Sequence, residues 1–220
     1  MNRAKTAVKA EHTRILALVD RLQEHYAHAK CSLDFENPFQ LLVATILSAQ
    51  CTDARVNQVT PALFKAYPDA ARLAAAPLGK VEELIRSTGF FRSKAKSLTE
   101  MAKDLVNRFS GEIPRSIEEL VRLRGVGRKT ANVVLGNAFG IPAGVVVDTH
   151  VKRLSFRLGL TKEKDPVKIE RDLSAKFDAK YWTELPHWLI HHGRSICVAR
   201  KPRCSKCFLV DLCPQKGLGK

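Results

Sequence analysis

Apolar residues return at intervals of three and four along almost the whole chain: Ile15, Leu18, Val19 and Leu22, then Ile117, Leu120 and Val121, then Ala131, Val134, Leu135 and Ala138. Such spacing lines one face of a helix, and few segments show the period of two that a half-buried strand requires. The spacing predicts an all-α protein. The one β-like run, AGVVVD at 143–148, is short and leads into another helical pattern, so it reads as an extended connector. Pro38, Asp53, Pro61, Pro68, Gly79, Gly89, Ser116, Gly125, Asp148, Pro166 and Pro186 divide the rest into roughly ten short helices. A chain of 220 residues can bury one large core or two small ones. No solenoid repeat or low-complexity linker is visible, so two domains would join through short connections. The connector at 141–147 is where they would meet, leaving the N-terminal helix to pack with the C-terminal part.

Charge narrows the partners. Lysine and arginine total 37 against 22 aspartate and glutamate, a formal net charge of +15, and such a field draws polyanions. Nucleic acid is the expected partner. A membrane is not, because the longest apolar run, LLVATILSA at 41–49, is too short to span a bilayer and no basic cluster flanks an amphipathic or lipidated segment. Arg3, Lys5 and Lys9 stand near the start without the apolar stretch and cleavage pattern of a secretory leader, so export is not expected. Of the six cysteines, four fall in the last 24 residues while Cys31 and Cys51 stand alone. That is not a disulfide framework, and it suits a reducing compartment.

Residues 123–140, LRGVGRKTANVVLGNAFG, crowd cationic side chains around two glycines. A helix over 117–123 and another from Gly127 onward leave RGVG as a tight turn, whose glycines give the backbone conformations closed to other residues. Uncapped N–H groups and the helix dipole favour an anion at the start of the second helix. Arg124, Gly125, Val126, Gly127 and Arg128 therefore form a candidate grip on a nucleic-acid backbone that does not read its sequence; the competing reading is a plain basic turn. Lys129 points away from the apolar stripe of that helix. A lysine placed among other positive charges favours its neutral form, which is a nucleophile toward a carbonyl or aldehyde carbon. From residues alone, however, another phosphate contact is the simpler role. Asp148, in VVVDTHVKRL, caps the following helix, and the N–H groups there stabilise its ionised form. Such a carboxylate can steady a developing cation or relay a proton.

Cys197, Cys204, Cys207 and Cys213 are separated by six, two and five residues, a density that marks a metal or cluster site. One C-x-x-C pair alone leaves zinc and an iron–sulfur cluster comparable. Arg200, Lys201 and Arg203 sit between the first two thiols, so a bound centre would fix a basic loop. His187, His191 and His192 precede the cysteines and receive no role.

Taken together, LRGVGRKTANVVL, VDTH, HGRSIC and the cysteine spacing resemble the endonuclease III family of helix-hairpin-helix DNA base-excision glycosylases, over a stretch from NPFQLLVATILSAQCTD at 37 to CPQK at 213–216. The resemblance implies a two-domain fold: a six-helix barrel over 31–141, and a discontinuous domain of 1–30 with 142–220 whose four cysteines bind [4Fe–4S]. It implies a bifunctional DNA N-glycosylase and AP lyase acting on oxidised pyrimidines. Lys129 would attack C1′ of a base rotated out of the duplex, form a Schiff base and cut the strand 3′ to the lesion, with Asp148 assisting proton transfer. Gln50 would fill the gap left in the duplex, and Phe90, in STGFFRSKA, would be the wedge; the plainer reading makes Phe90 and Phe91 ordinary core. His150 of VDTH, Arg200 and Lys201 complete the implied DNA contacts. The implied partner is double-stranded DNA with a damaged base or abasic site, met by a monomer at the nucleoid in the bacterial cytoplasm, with an organellar address left open.

Three departures from the family pattern stand out: Arg124 replaces the usual hairpin proline, Phe90 replaces a leucine, and the stretch from Lys129 to Asp148 is one residue longer. Two other readings compete. An adenine mismatch glycosylase shares the cluster, but Lys129 and an end at residue 220 argue against it. A DNA-binding redox sensor would need no lysine chemistry at all.

Overall fold

In the computed structural model, which describes residues 2–219, every regular element is a helix. The side chains of Arg3 and Lys5 lie outside the described residues. In order come α1 (Asn2–His25), α2 (Pro38–Leu47), α3 (Asp53–Ala66), α4 (Ala70–Ala74), α5 (Leu78–Ile85), α6 (Phe91–Phe109), α7 (Ile117–Leu120), α8 (Arg128–Phe139), α9 (Thr149–Arg157), α10 (Pro166–Lys176) and α11 (Glu184–Ser195). Three single 3₁₀ turns stand at 86–88, 179–181 and 204–206. The stretch 141–148 belongs to no helix and forms no strand pairing, as its position between two helices predicts. No helix of the described residues is long and apolar enough to cross a membrane.

The helix starts follow from local chemistry. Asn37, Thr52, Asp69, Ser116 and Asp165 each take a backbone N–H of the first turn onto the side-chain oxygen, and Pro38 and Pro166 open their helices where a missing N–H costs nothing. Ser116 and Glu119 add a reciprocal pair, the serine hydroxyl donating to the carboxylate at 2.9 Å. At the end of α8, Gly140 turns left-handed (φ 65°) and the Ile141 N–H reaches back to the Leu135 carbonyl at 2.9 Å. One expected breaker does not break. Pro61 lies inside α3, where burial of Val56, Val59 and Leu63 along one face outweighs the missing hydrogen bond.

Two compact units result: residues 31–143, and residues 1–30 with 144–220. The first encloses a core that includes Leu41, Leu42, Leu98, Met101, Leu105, Val134 and Leu135. In the second, Leu18, Val19 and Leu22 of α1 share a core with Leu154 of α9, Leu189 of α11 and Leu209 of the cysteine loop. Polar ties secure α1 there. Arg14 donates to the carbonyls of Leu158 and Leu212, and Arg21 to the carboxylate of Asp211 and the carbonyl of Phe208.

Candidate catalytic hairpin and cysteine centre

The helix expected over 117–123 ends at Leu120. Leu120, Leu123 and Val126 are all buried at a spacing of three, so the chain coils through two tight turns, Leu123 N–H to Leu120 carbonyl and Val126 N–H to Leu123 carbonyl, before α8 begins. The two hairpin glycines serve different ends. Gly125 is left-handed (φ 78°), and a Cβ there would meet the Cβ of Ser97 at 3.0 Å, so both conformation and space demand glycine. Gly127 is extended (φ −94°, ψ 172°), a conformation any residue adopts, and a Cβ would meet nothing. Its bareness instead leaves the first turn of α8 without a side-chain cap. Donors that no side chain satisfies are open to an external acceptor.

Around that helix start Arg124, Arg128 and Lys129 are exposed, whereas Val126 sends its side chain into the core and offers only its backbone. Arg124 pairs with Glu100 of α6 at 3.4 Å, which ties the hairpin to its support. As its position on the helical wheel predicts, Lys129 faces away from the buried stripe of Ala131, Val134 and Leu135.

Two exposed tips belong to the same unit. Gln50, after α2, and Phe90, before α6, are both left-handed non-glycine residues (φ 53° and 47°). Phe90 is 67% exposed, while Phe91 packs against the core with Arg86 and Arg92 over its ring, so the two phenylalanines part company.

In the other unit Asp148 caps α9: one carboxylate oxygen accepts from the Val151 N–H at 2.8 Å, and the other lies 3.3 Å from His150 Nδ1. Gly193 of HGRSIC makes room for this turn, since a Cβ would meet His150 and Arg153 at 3.0 Å.

The four cysteines of the tail line one cavity together with Leu154, Leu158, Ile196, Pro202 and Val210. All four are free thiols. Four thiols that share one apolar cavity supply the thiolate set that an iron–sulfur cluster takes, with apolar side chains around it. Burial pushes the Cys207 and Cys213 thiols up, so a bound centre must displace their protons.

Sequence reading missed the residues that surround these thiols. Arg157 Nη1 lies 3.3 Å from Cys197 Sγ and donates to the Val198 carbonyl at 2.8 Å, while Nη2 donates to the Ala199 carbonyl at 2.8 Å. It thereby anchors the loop that exposes Arg200 and Lys201. His192 Nε2 lies 3.4 Å from Cys207 Sγ and its Nδ1 is 3.0 Å from the Tyr26 hydroxyl; burial pulls the ring down to about 4, so it stays neutral. No spacing rule links Arg157 to a cysteine 40 residues away.

Comparison with known proteins agrees over most of the chain. Residues 43–178 match the family model described as HhH-GPD superfamily base excision DNA repair protein, and residues 197–213 match the iron–sulfur binding domain of endonuclease III. The endonuclease III of a Synechocystis species is 56% identical over 212 residues, 96% of this chain and 95% of that protein. That of Bacillus subtilis is 46% identical over 89% of each. Among solved structures, a trapped endonuclease III–DNA covalent intermediate superposes with a TM-score of 0.86 at 41% identity, over 93% of this chain and 96% of that one. A thermostable thymine-DNA glycosylase shares the fold at 22% identity, with a TM-score of 0.83 over 95% and 98%.

Proposed function

The chain belongs to the endonuclease III family of base excision DNA repair proteins, and from that premise we propose that Lys129 is the nucleophile and Asp148 the proton-transfer group with which it removes oxidised pyrimidines from duplex DNA. It is a DNA glycosylase and AP lyase, and its cofactor is a [4Fe–4S] cluster. In this reading the barrel domain spans 31–141 and the discontinuous domain 1–30 with 142–220, and the protein works as a monomer on nucleoid DNA. The compact units 31–143 and 1–30 with 144–220 support that division.

The observation that carries the reading is an exposed amine in the first turn of a helix whose N-terminus no side chain caps. Hairpin N–H groups of Gly125, Gly127 and Arg128 hold a backbone phosphate without reading bases. Gln50 and Phe90 enter the duplex, Phe90 as an apolar wedge and Gln50 in the gap, so the damaged nucleotide turns outward at a stacking cost that damage lowers. His150, Arg200 and Lys201 add contacts along the backbone.

Lys129 Nζ then bonds to C1′ as the bond from C1′ to the base breaks. The departing base takes its proton from water, while Asp148 steadies the positive charge that builds on the sugar, takes up the proton that the amine sheds and returns it to the ring oxygen. Ring opening yields the Schiff base. Loss of a C2′ proton expels the 3′ phosphate, which cuts the strand, and water frees the lysine. Cys197, Cys204, Cys207 and Cys213 are the cluster ligands in this reading. When bound, the cluster supplies iron–thiolate bonds that close the loop carrying Arg200 and Lys201.

Borohydride reduces a Schiff base to a stable amine, so wild-type protein mixed with an abasic duplex is expected to give a covalent adduct. Lys129→Ala is expected to bind the same duplex and give none. Wild-type protein that holds its cluster and the duplex but never cross-links would refute the assignment.

A further inference from the structure

Lys94 is a lysine with only 6% of its surface exposed, an arrangement that needs a reason because an ammonium leaves water at a high cost. Its Nζ donates to two main-chain carbonyls from different parts of the chain: Leu47 at 2.8 Å, the last residue of α2, and Thr88 at 2.7 Å, the end of the 3₁₀ turn. Three residues after Leu47 stands Gln50, and two after Thr88 stands Phe90. Both are exposed, and both are held in the left-handed region that costs a side-chain-bearing residue about 1 kcal/mol or more. Strained, solvent-facing residues persist only where the surroundings over-determine them. Burial lowers the Lys94 pKa, and the nearby Cys51 thiol opposes that shift.

The same place supports the hairpin. Ser97, one turn further along α6, and Ile46, next to Leu47, are the side chains nearest the Cβ position of Gly125, at 3.0 and 3.9 Å. Arg124 reaches Glu100 on the same helix. The first turns of α6 and the end of α2 therefore underlie the two tips and the phosphate-binding turn alike.

We propose that Lys94 is a positioning residue: by bridging the carbonyls of Leu47 and Thr88 it locks the Gln50 and Phe90 tips in one fixed geometry, so that wedge and gap-filler enter a duplex together. The role in DNA rests on the function proposed above, whereas the locking of the tips does not. Lys94→Met keeps the length of the side chain and removes the donors. Lys94→Gln, which retains N–H donors, serves as the second variant should the methionine form fold poorly, and is expected to lie between the two.

The test has two arms on cluster-loaded protein. In hydrogen exchange without DNA, the Cys51 and Lys94 amides, which close the two tips onto Ser48 and Phe90, are expected to exchange about tenfold faster in Lys94→Met, with mid-helix amides of α2 and α6 unchanged. In borohydride trapping, the adduct rate on an abasic duplex is expected to fall about tenfold or more, while on an abasic single strand, which offers no stack to enter, it stays within about twofold. Unchanged exchange at both tips overturns the proposal. So does an equal loss of trapping on duplex and single strand, because that reports general damage. If wild-type protein traps neither substrate, the assignment of Lys129 fails while the exchange arm still decides whether Lys94 locks the tips.

Discussion

His187, in the first turn of α11, is pulled down to about 4 from an ordinary histidine value of 6.5, chiefly by burial and then by the neighbouring charge of His191. The unfolded chain therefore binds a proton in the window from pH 6.5 down to about 4 that the folded chain refuses. Its contribution to stability is intact above the upper limit and is lost progressively as pH falls through the window. We expect His187→Gln to flatten the fall of unfolding free energy across that interval by up to about 1.4 kcal/mol per pH unit, read from urea titrations of both proteins at matched pH. Parallel curves would show that His187 does not couple folding to protons. At this scale the outward-facing position of Lys129 and the capping by Asp148 were legible from helix position. Lys94, Arg157 and His192 were not, because what distinguishes each is a partner far away in the chain, a carbonyl or a thiol, and a lone Lys, Arg or His carries no sign of burial.

Among the elements, α8 begins without the side-chain cap that stabilises most of its neighbours. Gly127 leaves the helix uncapped although its conformation and surroundings would admit any side chain. Gly127→Asp is expected to raise thermal stability, by about 0.5–1 kcal/mol through the cap, the helix dipole and a less flexible unfolded chain. Duplex affinity is expected to drop about tenfold or more, because a carboxylate would stand where a phosphate is meant to bind. A scanning calorimeter and a binding titration read the two effects separately, and equal or improved affinity would remove the hairpin from the interface. Most helix boundaries could be read from caps and prolines. The exceptions, Pro61 inside α3 and the early stop of α7, occur where buried apolar residues override a local signal.

For the whole molecule the governing quantity is the +15 charge. Binding to duplex is expected to weaken steeply with salt, since each phosphate contact releases about 0.9 counterion. Arg200→Ala should reduce the slope of log K against log salt by about one such contact and weaken different sequences alike. A flat salt response, or an unchanged slope, would count against phosphate contacts by these basic side chains. The all-α class, the hairpin and the cysteine tail were determined by the sequence itself, because periodicity, turn chemistry and ligand spacing act between near neighbours. Only the tertiary structure decided that α1 closes over the cysteine loop, that the four thiols line one apolar cavity, and that a buried lysine bridges the carbonyls of Leu47 and Thr88 beside two exposed tips. Those outcomes depend on which surfaces bury one another across long stretches of chain, and burial is a property of the packed molecule, not of any local pattern.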